Sequence, residues 1–169
     1  MNPSDFLCDV LEQAVERENA YWKRKILNAD FDRIHMAIMI EPYLSWILDG
    51  TKTIESRFSQ KRTAPFQKAG KKDIILLKKS GGDIEGVFEA GSVYCFDCLD
   101  PHRILMLKDQ YNEKICGDDA FWQSRQICRY ATLIEVNSLF VLEPIKVKGK
   151  NRQSWIAGRR DCFGVDDCI

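Results

Sequence analysis

Between Ile40 and Phe58 the chain reads as a short helix, a glycine stop and a charged strand, and the rest of the fold must be built around that stretch. Pro42 suits the first turn of a helix, where its missing N–H has no partner to lose. Leu44, Ile47 and Leu48 recur at helical spacing and make one apolar face. Gly50 closes the helix, because glycine tolerates the left-handed conformation of a C-cap. From Thr53 onward the alternation is that of a strand. Glu55 and Arg57 then share one face, and Ile54 and Ser56 take the other. Lys52 lies at the turn, with a side chain long enough to reach the Glu55–Arg57 face. On residue types alone this is a surface Glu–Arg pair beside a solvated lysine, an arrangement worth little in energy.

The pattern Gly50-x-Lys52-x-x-Glu55-x-Arg57, following a helix with a Pro-aromatic start, resembles the signature of the ASCH (activating signal cointegrator homology) domain family, within the PUA-like superfamily. The apolar strand Met36–Ile40 and the closing segment Arg152-Gln153-Ser154-Trp155-Ile156 resemble the family as well. The resemblance spans roughly His35 to Ala157. It implies an α+β fold, a small PUA-like β-barrel with flanking helices, to which this chain adds an N-terminal helix outside the usual core. The expected organisation is a helical extension over residues 1–33, the barrel over 34–157 and a tail over 158–169.

Other segments fit such a barrel. Phe6, Leu7, Val10, Leu11, Ala14 and Val15 predict a helix within Ser4–Leu27, with Ser4 as N-cap, packed across the barrel. His35–Ile40 reads as a buried strand, with His35 a strand-end residue rather than a ligand. Ile74–Leu77 is continuously apolar, as in a strand buried on both faces. Ser80-Gly-Gly-Asp83 has hairpin chemistry, and without a following Gly-Lys-Ser/Thr it is not a P-loop. Ile84–Phe96 is a strand in which Gly86 and Gly91 mark bends, the kinks a small barrel needs to turn its corners. Pro101–Ile115 is a helix, Asp118 the N-cap of a shorter one carrying Phe121 and Trp122, and Arg129–Val147 a long strand region bent at Asn137-Ser138. Trp46 is expected in the core, and Tyr43 either in the core or facing a cleft.

Formal net charge is zero over 169 residues, which excludes a global nucleic-acid-attracting field. The charge is nevertheless segregated. Lys61–Lys79 carries seven Lys/Arg against one acid, and Lys146–Arg160 six against none. The two segments either line one phosphate-contacting face or are unrelated solvated loops. The N-terminus lacks the basic start and apolar run of a signal peptide, and no stretch approaches a membrane span, so the cytoplasm and seven reduced cysteines are expected. Cys95-Phe-Asp-Cys98 has zinc-ligand spacing, but no second tight pair follows, so neither a metal nor a cofactor is expected.

The resemblance makes single-stranded RNA, a nucleotide or a modified nucleoside the expected ligand, held by Tyr43, Lys52, Glu55 and Arg57, with Lys61 and Arg62 on the rim. Lys52 supplies a compact charge, Arg57 a planar fork for phosphate or a base edge, Glu55 an acceptor for base amino groups, and Tyr43 a stacking face. The family's insertion tends to overhang the cleft and could point Glu113, Asp118 or Asp119 at the site, although each acid taken singly reads as ordinary helix-end charge. The alternative is a hydrolase in which Lys52 and Glu55 are catalytic. Compact relatives that hydrolyse the amide of N4-acetylcytidine use the matching lysine with a threonine three residues on, where this chain has Glu55. A carboxylate there raises the lysine's pKa unless Arg57 neutralises it. Other relatives resemble ribonucleases, but His35 and His102 are too far from the signature in sequence to act as an obvious pair. A protein-interaction module is a third reading, disfavoured by the charge crowded at Lys52–Arg57. The sequence does not fix the oligomeric state.

Overall fold

The chain's computed structural model describes residues 1–149 and 152–158. The strands among them are β1 (Ile34–Met39), β2 (Ile54–Ser59), β3 (Ile74–Lys79), β4 (Ile84–Phe96), β5 (Tyr130–Ile145) and β6 (Trp155–Ala157). The helices are α1 (Leu7–Glu16), α2 (Ala20–Leu27), α3 (Tyr43–Leu48), α4 (Pro101–Ile115) and α5 (Asp119–Ser124). The strands form one mixed sheet in the order β2-β5-β4-β3-β1-β6, with β1 and β3 parallel and the other pairs antiparallel. This is the expected α+β architecture, a sheet curled into a half-barrel with flanking helices.

Bends in the two long strands curl the sheet. The β4–β5 register shifts between Ile84 and Gly86, between Val87 and Glu89, and between Ala90 and Val93, and each extra residue adds local twist. Gly86 has a second role. A Cβ there would meet Leu48 Cδ2 at 2.6 Å, so its absence lets α3 lie close on β4.

Alternation places two cores on opposite faces of the sheet. On one, Ile34 and Met36 of β1 and Ile74 and Leu76 of β3 pack against Leu7, Val10, Leu11 and Ala14 of α1 and Trp22 and Ile26 of α2. On the other, Ala37, Met39, Ile75, Leu77 and Phe88 pack against Leu44 and Ile47 of α3 and Trp155 of β6. A third cluster joins Ile54 and Leu133 to Ile104, Leu107 and Trp122, seating α4 and α5 beside β2.

The N-terminal helix differs from expectation. It is two helices, interrupted where Glu18 takes a positive φ of 54°. Asn19 caps the second, its side chain accepting from Trp22 N. The first is preceded by a 3-10 turn capped by Asn2 rather than Ser4, which is buried. The pair packs on the barrel, and Gln13 exchanges hydrogen bonds of 2.9 and 2.8 Å with the backbone of Glu143. Trp46 is half-buried at the surface of α3, edge-on to Tyr43.

His35 sits in the core. Its Nε2 lies 3.0 Å from Asp73 Oδ2, and its Nδ1 accepts from Trp155 Nε1, tying β6 to β1 and β3. Because indole only donates, Nδ1 is the bare nitrogen and Nε2 carries the proton toward Asp73. Cys8 is disulfide-bonded, against the expectation of reduced cysteines throughout, whereas Cys95, Cys98, Cys116 and Cys128 are free thiols. Among the described residues no helix is long and apolar enough to cross a membrane, and no cluster of three metal-ligating side chains occurs. Of the expected tail, residues 159–169 lie outside the described part.

Candidate functional site

Helix α3 positions the first wall of the site. The Glu41 carboxylate accepts from both the N–H and the hydroxyl of Ser45, capping its first turn. Gly50 ends it at φ +84°, and the chain folds back so that Lys52 N donates to Trp46 O at 2.8 Å. That return carries Lys52 inward, 3% exposed, as is Glu55. The solvated lysine and surface pair expected from residue types are therefore a buried charge cluster.

The cluster has a defined wiring. Lys52 Nζ donates to Ile54 O at 2.6 Å and Ile115 O at 2.8 Å, and stands 3.9 Å from Glu55 Oε2. Glu55 Oε1 accepts from Arg57 Nε at 2.6 Å, while Oε2 holds no hydrogen bond among the described residues. Burial lowers the pKa of Lys52. Glu55 opposes that shift and Arg57 adds to it. A lysine this close to a carboxylate remains depressed because desolvation outweighs the attraction and Arg57 already occupies the carboxylate.

Arg57 does more than balance Glu55. Its Nη1 donates to Ser154 O at 2.9 Å, and its Nη2 reaches Ile38 O and Met39 Sδ, each at 3.1 Å. β2 and β6 are the two edges of the sheet. The guanidinium thus spans the seam between β2 and the β1–β6 side and stacks near Trp155 at 5.3 Å. Its donors are largely consumed in closing the half-barrel, which leaves little for the phosphate fork anticipated from sequence.

Above the cluster lies a cleft of about 270 Å³, lined among others by Met39, Tyr43, Lys52, Glu55, Arg57 and Phe121. Tyr43, Phe121 and Phe58 form a continuous aromatic wall, with centroids 5.7 Å apart for Tyr43–Phe121 and 6.1 Å for Phe58–Phe121. Lys52 Nζ is 5.7 Å from the Tyr43 ring centroid. The insertion between β4 and β5 does overhang the cleft, but it delivers Phe121 and Arg125 rather than an acid. Asp118 is occupied as the cap of α5, and Asp119 points outward to Lys108.

Arg125 was not anticipated. Its guanidinium lies 4.1 Å above the Phe121 ring, it lines the cleft, and it donates to the Ser124 hydroxyl. The one sequence signal was the four-residue spacing from Phe121, which puts both on one helical face. Ser154 was equally hidden, a small polar residue about a hundred positions from the signature.

The structure thus brings Tyr43, Lys52, Glu55 and Arg57 to one cleft. Lys61 and Arg62 lie beyond its lining, just past the end of β2. The basic run from Lys61 to Lys79 divides. Lys68 and Lys72 stand beside Arg33 and Asp30 at the start of β1, while the cleft lies at its end, roughly 17 Å away for a six-residue strand. Lys78 is buried, and Lys79 faces Glu41.

No family model matches the chain, and no curated protein matches it. Similarity appears in three dimensions. The crystal structure of ASCH from Zymomonas mobilis matches with a TM-score of 0.60 at 14% identity, over 76% of this chain and 89% of that one. Two single-substitution variants of that protein, a Tyr-to-Phe and a Ser-to-Ala, match with TM-scores of 0.60 and 0.58 at 14% and 12% identity, over 76% of this chain and 91% and 89% of theirs. Identity this low speaks for architecture. The chain has the fold of the ASCH domain.

Proposed function

We propose that the protein binds single-stranded RNA, taking one base into the cleft. The observation that carries this is the pairing of an aromatic wall with a buried acceptor. A base laid against Tyr43 and Phe121 stacks on a sequence-tolerant surface. Its amino edge then faces Glu55 Oε2, the carboxylate oxygen left without a donor. Arg125, whose fork among the described residues donates to a neighbouring hydroxyl, stands at the lip where a phosphate would pass. Arg57 holds the seam and orients Glu55. The test is binding of a short single-stranded RNA across a salt series, for the parent, Lys52→Ala and Arg125→Gln. Salt-sensitive binding weakened by both substitutions is expected. No binding by the parent at low salt overturns the reading.

A hydrolase reading is favoured by a separate observation, the depressed pKa of Lys52 beside a carboxylate that Arg57 already neutralises. That is the condition under which the lysine can act as base or nucleophile despite Glu55. RNA cleavage, or amide hydrolysis of N4-acetylcytidine, abolished in Lys52→Ala and Lys52→Met alike, would establish it.

A further inference from the structure

Beyond the seam the cleft does not end. Arg57, Phe58 and Ser154 line both the cleft and a smaller recess of about 80 Å³ on its far side. The recess is less than a third of the cleft's volume, and hydroxyls of Thr63, Thr132 and Tyr130 line it, beside a Ser59 hydroxyl that already donates to Lys61 O. Phe66 and Tyr130 back it with ring centroids 5.1 Å apart. Over that pair lies Arg62, its guanidinium 5.5 Å from the Tyr130 ring and 6.0 Å from Phe66. Two segments distant in sequence meet here, Thr63–Phe66 from the first basic run and Ser154 from the second.

Size and chemistry separate the two spaces. The cleft is large, walled by aromatic rings and floored by an acceptor, as a base requires. The recess is small, hydroxyl-lined and overlooked by a cation, as a phosphate requires. Arg62 interacts most strongly with Tyr130, with Asp97 a weaker attraction, so the guanidinium stays beside the recess without occupying it. Base and phosphate within one nucleotide are neighbouring groups, and Arg57, Phe58 and Ser154 form the shared edge between the two spaces.

We propose that the recess is a phosphate subsite, so that the ligand is a nucleotide or a strand containing one, and not a free nucleoside. This rests on the base-in-cleft reading and adds to it a direction for the backbone, from Arg125 across the seam toward Arg62. It also discriminates among substrates, since an enzyme for free modified nucleosides has no use for such a subsite.

The experiment is equilibrium binding of the four ribonucleosides, their 3′- and 5′-monophosphates and a short single-stranded RNA. It uses the parent, Arg62→Gln and Thr63→Val, with thermal unfolding of each variant to show that the fold is kept. At low salt a monophosphate series is expected to bind at least about tenfold tighter than the nucleosides, a difference of about 1.4 kcal/mol. Arg62→Gln is expected to bring nucleotide affinity down to near the nucleoside level, with Thr63→Val reducing it less. Equal affinity for nucleosides and nucleotides overturns the subsite and leaves the cleft standing. A nucleotide preference that survives both substitutions also overturns it, because the phosphate is then held elsewhere. Failure of every ligand, RNA included, removes the cleft reading and the subsite together.

Discussion

Of the three lysines buried among the described residues, Lys25 and Lys52 are wired in different ways. Lys25 on α2 has a side chain 2% exposed, and Lys52 one 3% exposed. Lys25 Nζ donates to Asp30 O at 2.6 Å and Lys72 O at 2.9 Å, and lies 2.7 Å from the Glu89 carboxylate, which also accepts from Tyr21. Its three N–H groups are matched by three acceptors. Lys52 has two carbonyl acceptors, and its carboxylate neighbour stands off at 3.9 Å, beyond hydrogen-bond reach, beneath an open cleft. A saturated buried lysine joins elements. A lysine left one partner short beside a cavity is equipped to meet a ligand.

The contrast predicts a crossed pattern of effects. The largest loss of stability is expected from Lys25→Met, about 3–5 kcal/mol, because it strands a largely buried Glu89 and two carbonyls while leaving RNA binding within twofold of the parent. Lys52→Met is expected to cost less, about 1–3 kcal/mol, since removing a costly buried charge offsets the two orphaned carbonyls, yet to weaken RNA binding at least about tenfold. Urea denaturation and RNA titration of the two variants side by side decide the matter. Equal binding losses would erase the distinction.

Arg57→Gln belongs between the two lysines. It opens the seam and frees Glu55, and a loss of about 2–4 kcal/mol is expected in urea denaturation. The same change should raise the pKa of Lys52, because it removes a repelling cation and releases the attracting carboxylate. Lysine side-chain NMR through alkaline pH reads this directly. In the parent, Lys52 should titrate below the exposed lysines. Between that lowered pKa and the unfolded value the unfolded chain binds the extra proton, so this lysine makes stability rise with pH in that window. Lys52→Met should abolish that contribution.

Smaller effects are expected at the lip. Phe121→Ala and Arg125→Gln should each weaken RNA binding about five- to tenfold by titration, within the range of one stacked base. Arg125→Gln should shift stability by no more than about 0.5 kcal/mol. At the far end of β1, Lys71→Ala with Lys72→Ala should change RNA affinity less than twofold.

Legibility followed sequence distance. β4 and α4 run over Ile84–Phe96 and Pro101–Ile115 as read from the sequence, because glycine bends, Pro101 and the Cys116-Gly break mark their course locally. The break between α1 and α2 was missed because Glu18, a good helix former, carries the positive φ, although Asn19 was a readable cap. Tyr43, Lys52, Glu55 and Arg57 could be gathered because they fall within fifteen consecutive residues. Their burial could not, since it depends on Ile115 and on α5 arriving from far along the chain. Arg57 was misjudged for the same reason. Its partners, Ile38 on β1 and Ser154 just ahead of β6, sit side by side at one edge of the sheet, and only the curl of the sheet brings β2 to them.

On the base-binding proposal, the ligand occupies the cleft at the Lys52–Glu55–Arg57 cluster. Backbone amide NMR of the protein titrated with a short single-stranded RNA tests it most directly. Shifts are expected to concentrate at Met39–Tyr43, Lys52–Ser59, Phe121–Arg125 and Ser154, with the amides around Asp30, Lys72 and Glu89 unmoved. Shifts centred on the Lys25 cluster, or none at saturating RNA in low salt, would contradict it.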